Sequence, residues 1–250
     1  MVYIEPRNLA VAYEPDTAMG GAHHPFPTTR SSLILSAAGT GAPANEALEA
    51  IIAVYWKPAY KHVRIQWKRS NEEAKDLVQG FFAALIEQEI LAGFDPSKGR
   101  FRTYLKACLD HFVMKQDESA RRLKRGGDLT PVFDFEAAER ELAASPSVED
   151  VFFREWQREM FSLALGDLRE FCRGNGKQVQ LAVFEAYDLA EEAQPSYAEL
   201  ATRHTIPVTT VTNYLAWARR ELRRLVMARL SAVTSGDREC RAEGQALFGK

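Results

Sequence analysis

The chain has 250 residues, 46% hydrophobic and 26% charged, a composition typical of a globular protein with one large core or two small ones. Its three cysteines, Cys108, Cys172 and Cys240, are odd in number and far apart in sequence, which argues against a disulfide framework or a zinc ribbon. No apolar run approaches the roughly 20 residues of a membrane helix, and the first residues lack the pattern of a secretory signal. We therefore expect a cytoplasmic protein with reduced thiols and no membrane contact.

The formal net charge of −2 argues against nucleic acid as a partner, but the charges are unevenly distributed. Residues 98–125 contain nine Lys or Arg against three acids, and residues 196–230 contain six Arg against two acids. The intervening residues 134–170 contain ten acids against four Arg. Two basic blocks around an acidic one suit contact with a polyanion, because a polyanion responds to local charge rather than to the sum.

Residues 1–44 are rich in Pro, Gly, Ala, Ser and Thr, and we predict a mostly irregular N-terminal extension. Residues 45–125 have helical periodicity. Within them Ser70 and Glu73 have capping-box spacing at the start of one helix, and a second helix begins near Phe101 after a turn-rich connector.

Residues 126–147 are predicted to be a linker, residues 148–232 to be helical again, and residues 233–250 to be a polar, loosely ordered tail. No strand-like alternation of any length occurs. The sequence therefore predicts an all-α fold of two helical modules joined by a linker, the C-terminal module being a helix-turn-helix.

The helix-turn-helix is the clearest motif. Residues 196–203 fit a first helix and residues 205–207 the turn, while Val208, Val211 and Leu215 are spaced as the core face of a second helix. Thr and Asn side chains can contact base edges, and Arg side chains can bind phosphates. The candidate duplex-binding residues are Thr209, Thr210, Thr212, Asn213, Ala216, Trp217, Arg219, Arg220 and Arg223. The alternative is a solvated helical hairpin whose Arg-rich end complements the helix dipole.

Three sequence runs occur in order: Asp-Leu-Val-Gln-Gly-Phe-Phe at 76–82, Gly-Arg-Phe-Arg-Thr-Tyr-Leu at 99–105, and Ser-Tyr-Ala-Glu-Leu-Ala at 196–201. Together they resemble the sigma-70 family of RNA polymerase sigma factors, in its extracytoplasmic-function branch. The resemblance covers roughly residues 45–125 and 150–230. It implies a core-binding helix, the start of a promoter-melting helix and the final helix-turn-helix, in that order. Residues 45–125 are then similar to sigma region 2 and residues 148–232 to sigma region 4.

The resemblance implies that the first of these helices binds core RNA polymerase. The candidate core-binding residues are Asp76, Leu77, Gln79, Gly80, Phe82 and Ala83. The alternative for this helix face is an ordinary solvated surface.

The second run leads into a basic helix that, by the same resemblance, captures the melted strand. Unpaired strands need cations for phosphates and flat rings for bases. The candidate residues are Arg102, Tyr104, Lys106, His111, Lys115, Arg121, Arg122, Lys124 and Arg125. The alternative for residues 121–125 is a solvated basic loop.

The function implied is promoter recognition, DNA melting and transcription initiation in complex with core polymerase, with promoter DNA and an anti-sigma factor as further partners. The alternative is a helix-turn-helix regulator that binds duplex DNA without polymerase core. No enzyme, cofactor or metal site is expected, because the five His are scattered and neither a Gly-rich phosphate loop nor metal-ligand spacing occurs. Residues 26–30 and 124–127 resemble a larger subgroup with N-terminal extensions, but Ser31 stands where that subgroup has Trp.

Overall fold

The protein is represented by a computed structural model that describes residues 42–87, 90–123, 149–191 and 193–249. Within these ranges the regular structure is entirely helical, which confirms the all-α prediction. The predicted linker 126–147 and nearly all of the extension 1–44 lie outside the described residues. The α-helices are α1 (Ala42–Gln66), α2 (Asn71–Glu87), α3 (Phe101–Leu123), α4 (Glu149–Gly174), α5 (Gln178–Asp188), α6 (Tyr197–His204), α7 (Val208–Ala232) and α8 (Asp237–Phe248), with a short 3-10 helix at Ile90–Gly93.

The described residues form two compact units. The N-terminal unit contains α1, α2, α3, the beginning of α4 as far as Trp156, and the segment Ser231–Cys240. The C-terminal unit contains Gln157–Leu230 and the residues from Arg241 onward. The division of functions among the segments predicted from the sequence remains a prediction.

The core of the N-terminal unit is rich in aromatic side chains. Tyr55 of α1 lies edge-on to Phe101 of α3, with ring centroids 5.7 Å apart, and stacks on Phe152 of α4 at 6.3 Å. All three rings are buried, as are Val78 and Phe81 of α2. Helix α3 is therefore covered on more than one side, which determines which of its polar residues can reach solvent.

In the C-terminal unit α4 and α7 are joined by a partly buried ion pair. The guanidinium of Arg229 donates two hydrogen bonds, both 2.6 Å long, to the carboxylate of Asp167. These two charge-assisted hydrogen bonds offset the free-energy cost of removing the Arg229 guanidinium from water. Met160 and Leu168 of α4 and Leu222 of α7 are buried in this core.

The chain end differs from the sequence-based expectation of a loosely ordered tail, because residues Asp237–Phe248 form α8. Gly244 allows α8 to approach α7 closely, since a Cβ at this position would lie 2.9 Å from the Met227 sulfur. Phe248 is buried, with its ring 5.6 Å from that of Phe161. Over the described residues, no helix is both long and apolar enough to cross a lipid bilayer.

Candidate nucleic-acid interface

One face of α2 is exposed in the N-terminal unit and carries residues of mixed chemistry. Asp76, Gln79 and Ala83 are exposed there, on the side away from the buried Val78 and Phe81. Their spacing of three and four residues places them in one row along the helix. This row is able to meet a helical partner without disturbing the core.

Ile86 extends the same row, although helical spacing had placed it with Leu85 on the broad apolar face of α2. Its side chain is 54% exposed, one of the most exposed large apolar side chains among the described residues. The available signal was its position, three residues after Ala83, which continues the spacing of the row.

Three other candidates on α2 are less exposed than this row. Phe82 is 4% exposed, and its ring centroid lies 6.0 Å from that of Trp56, so it contributes to the core and not to a surface. Gly80 is half-buried because α3 passes close by: a Cβ at Gly80 would lie 3.3 Å from Phe112 Cζ. Leu77 is half-buried.

Three of the residues proposed to contact a melted strand are buried in α3. Tyr104 is 5% exposed and its hydroxyl donates a 2.6 Å hydrogen bond to the Ile90 carbonyl. His111 is 7% and Arg102 is 8% exposed. In this structure neither ring is available as a stacking platform, and the guanidinium of Arg102 lies 4.1 Å from the centroid of the Phe153 ring. The sequence reasoning placed these residues off the core stripe, but α4 and the 3-10 helix cover α3 there as well.

The cations of α3 are placed differently from one another. Lys106 donates a 2.9 Å hydrogen bond to Asp110, so much of its charge is compensated within the protein. Lys115 is half-buried and Arg121 is exposed. The side chain of Arg122, and Lys124 and Arg125 entirely, lie outside the described residues.

Asp110 is the centre of a polar cluster inside the N-terminal unit. One carboxylate oxygen lies 2.6 Å from His62 Nε2 and accepts a 2.8 Å hydrogen bond from the Trp67 indole, while the other accepts from Lys106. Burial raises the pKa of Asp110, but the hydrogen bond and charge of His62, assisted by Lys106, lower it to about 2. The cluster joins the end of α1 to α3 and is a structural element.

In the C-terminal unit a capping box starts α6. The backbone N–H of Glu199 donates to Ser196 Oγ at 3.2 Å, and the backbone N–H of Ser196 donates to Glu199 Oε2 at 2.7 Å. These backbone and hydroxyl donors of Ser196 hold the pKa of Glu199 below its ordinary value. Helix α6 thus begins with a residue pair that can be read directly from the sequence.

A tight turn separates α6 from α7. Thr205 has φ = 55°, a left-handed conformation that β-branched residues rarely adopt. The N–H of Ile206 donates to the Ala201 carbonyl at 3.0 Å, the bond that closes a Schellman-type helix end. The Pro207 carbonyl then accepts from Thr210 at 2.9 Å, so α7 starts at once.

The first turns of α7 expose several of the candidate duplex-binding residues. Thr209, Thr212 and Asn213 are exposed, and Thr210 and Ala216 are half-buried. The buried face of α7 includes Val211 and Leu215, as expected.

Val208 was expected in the core, but it is 47% exposed. It is the first residue of α7, and the buried face starts one turn later, at Val211.

The four arginines that follow on α7 are not equivalent. Arg220 is exposed. Arg219 donates to both oxygens of Asp188 at 2.9 and 2.7 Å. Arg223 is exposed, with its guanidinium 4.5 Å from the centroid of the Phe248 ring, and Arg224 pairs with Glu221 on its own helix. Arg220 is therefore the clearest candidate for a phosphate contact.

Lys177 supplies a cation that sequence reasoning missed. It precedes α5, and its amino group lies 5.0 Å from the centroid of the Trp217 ring, which also approaches Phe171 at 6.4 Å. Trp217 thus belongs to an aromatic pair with a charge above it and is only half-buried. No periodicity could have revealed this neighbour, since Lys177 lies far from Trp217 along the chain.

Comparison of the chain with protein-family models, with curated proteins and with solved structures gives no match.

Proposed function

We propose that this chain acts as a sigma factor of the extracytoplasmic-function type: it binds core RNA polymerase in the cytoplasm, recognises promoter DNA, assists its melting and allows transcription to start. The observation that carries the proposal is the exposed face at the start of α7, where Thr209, Thr212 and Asn213 project next to Arg220. Short polar side chains followed by a cation suit base edges and phosphates of one major groove.

The exposed row on α2 supports the polymerase contact. A helix face with a carboxylate, an amide and a small apolar residue can pair with a helical partner by charge, hydrogen bond and close packing. Asp76, Gln79 and Ala83 offer these three properties on one side of a helix whose other side is firmly packed. Ile86 adds an exposed apolar group to that row.

In this proposal, strand capture depends on the cations of α3. With Tyr104 and His111 buried, the exposed Arg121 and the half-buried Lys115 of α3 are the described residues best placed to meet phosphates of an unpaired strand. Base stacking would then require residues outside the described part of α3 or contacts contributed by polymerase.

The burial of Tyr104 and His111 also favours the second candidate function, a helix-turn-helix regulator that binds duplex DNA without polymerase. That protein needs only the α6–α7 surface. The two functions differ in whether the α2 face binds core polymerase.

Run-off transcription with purified core polymerase tests the proposal. The full chain added to core should produce promoter-dependent transcripts that core alone does not produce. A chain that binds duplex DNA but leaves core inactive on every template would instead be the regulator.

A further inference from the structure

Helix α3 is preceded by Arg100, which is not a capping residue type. The carbonyl of Arg100 is its first acceptor, taking hydrogen bonds from Thr103 and Tyr104 at 3.1 Å each. The first N–H groups of a helix need acceptors from outside the helix, and a guanidinium has none to offer. By contrast, α2 begins with Ser70 and α6 with Ser196, each in a capping box. An acceptor from another part of the chain can therefore take this place at the start of α3.

Glu239 supplies that acceptor from near the other end of the chain. The backbone N–H of Phe101, the first residue of α3, donates a 2.7 Å hydrogen bond to Glu239 Oε1. The other carboxylate oxygen accepts from the backbone N–H and the hydroxyl of Ser235, at 2.8 and 2.6 Å. Ser235 thus holds the carboxylate in place, and all three residues belong to the N-terminal unit.

The segment that carries Glu239 is packed in that unit. Val233 is 1% and Thr234 is 3% exposed, directly before Ser235. A carboxylate at the start of a helix also lies at the positive end of the helix dipole, which strengthens the bond. The hydrogen bond from Phe101 and the burial of the residues that lead to Ser235 both assign this role to Glu239.

We propose that Glu239 is the N-terminal cap of α3 and a positioning residue for strand capture. The segment Ser231–Cys240 then contributes to the function of the N-terminal unit. The cap holds the first turn of α3 in place and so stabilises the helix that carries Lys115 and Arg121. The consequence for strand capture rests on the function proposed above, whereas the cap itself does not.

Hydrogen exchange on the full-length chain tests the cap. In the wild type the amide of Phe101 should be protected, and in Glu239→Ala it should exchange at least about fivefold faster, the effect expected for loss of a helix cap. Glu239→Gln, which keeps an acceptor but loses the charge, should restore part of the protection. Asp237→Ala is the matched control, because it removes an exposed acid from the same first turn of α8.

Equal protection of Phe101 in Glu239→Ala and wild type would overturn the proposal, and so would an equal loss in Asp237→Ala. The functional arm measures core binding and open-complex formation for the same variants. Glu239→Ala should retain core binding and form fewer open complexes than Asp237→Ala. If open complexes form normally although Phe101 has lost protection, the positioning role is wrong. If the wild type forms no open complexes either, the proposed function is wrong. The hydrogen-exchange result still shows whether Glu239 caps α3.

Discussion

Arg219 of α7 and Asp188 at the end of α5 form a two-pronged ion pair, with both guanidinium–carboxylate hydrogen bonds under 3 Å. The bond to Asp188 raises the pKa of Arg219. Because Arg219 is engaged in this way, it positions α7 relative to α5 within the C-terminal unit. Its neighbour Arg220 is exposed. Two adjacent arginines on one helix therefore have separable roles.

Replacing each of the two arginines by Ala should separate fold stability from DNA affinity. Arg219→Ala should lower the free energy of unfolding by about 1 kcal/mol, a value reduced for solvent screening because the side chain is 37% exposed. Arg220→Ala should leave stability nearly unchanged and lower affinity for all duplex sequences alike, reducing the salt slope of binding by about 1. Urea unfolding measures the free energy of unfolding, and DNA titrations at several salt concentrations measure the affinity and its salt slope. Equal stability loss in the two variants would contradict this assignment.

The α2 face should be required for polymerase binding but not for folding. The double variant Asp76→Ala with Gln79→Ala should abolish association with purified core, while its unfolding free energy stays within about 0.5 kcal/mol of wild type, because both residues are exposed. Glu49→Ala, an exposed change on α1, is the control and should bind core normally. Normal core binding by the double variant would remove α2 from the interface.

Tyr104 should matter for stability and not for strand binding. Tyr104→Phe leaves the Ile90 carbonyl without its donor and should cost about 1 kcal/mol or somewhat more. Tyr104→Leu removes the ring, which would lower affinity for an unpaired strand by about 1–3 kcal/mol if a base stacked there. We expect no such loss when the folded variant is titrated, with core, onto a promoter containing a pre-melted segment. Arg121→Ala, at an exposed cation, should weaken that binding.

The cluster around Asp110 should make the N-terminal unit sensitive to acid. The folded pKa of Asp110, about 2, lies below its ordinary value of 3.8, so the stabilisation is complete well above pH 3.8 and is lost as the pH falls towards 2. The shift corresponds to roughly 2 kcal/mol, and the side chain is only 19% exposed. Asp110→Asn should lower the urea midpoint at neutral pH. In this variant the midpoint should also decrease less than in the wild type as the pH falls. Asp76→Asn, at an exposed site, should retain the wild-type acid profile.

Local sequence patterns predicted the helical character of residues 45–123 and 149–232, but not α8. The capping box at Ser70 was predicted because its two partners, Ser70 and Glu73, are three residues apart; the box at Ser196 has the same spacing but was not predicted. The buried row of Val211 and Leu215 followed from helical spacing alone. The order of chemistry along α7, short polar groups first and arginines later, is likewise a property of the sequence.

Tertiary structure alone decided which polar residues reach solvent and which are paired inside. Tyr104 is buried because the 3-10 helix lies against α3, and Arg219 is paired because α5 ends beside α7. Glu239 caps a helix that begins far from it along the chain. Periodicity describes one helix at a time, whereas these contacts depend on which second element covers it. Side-chain burial and long-range hydrogen bonds are therefore properties of the packed chain, and they determine which of the residues suggested by the sequence are available to bind a partner.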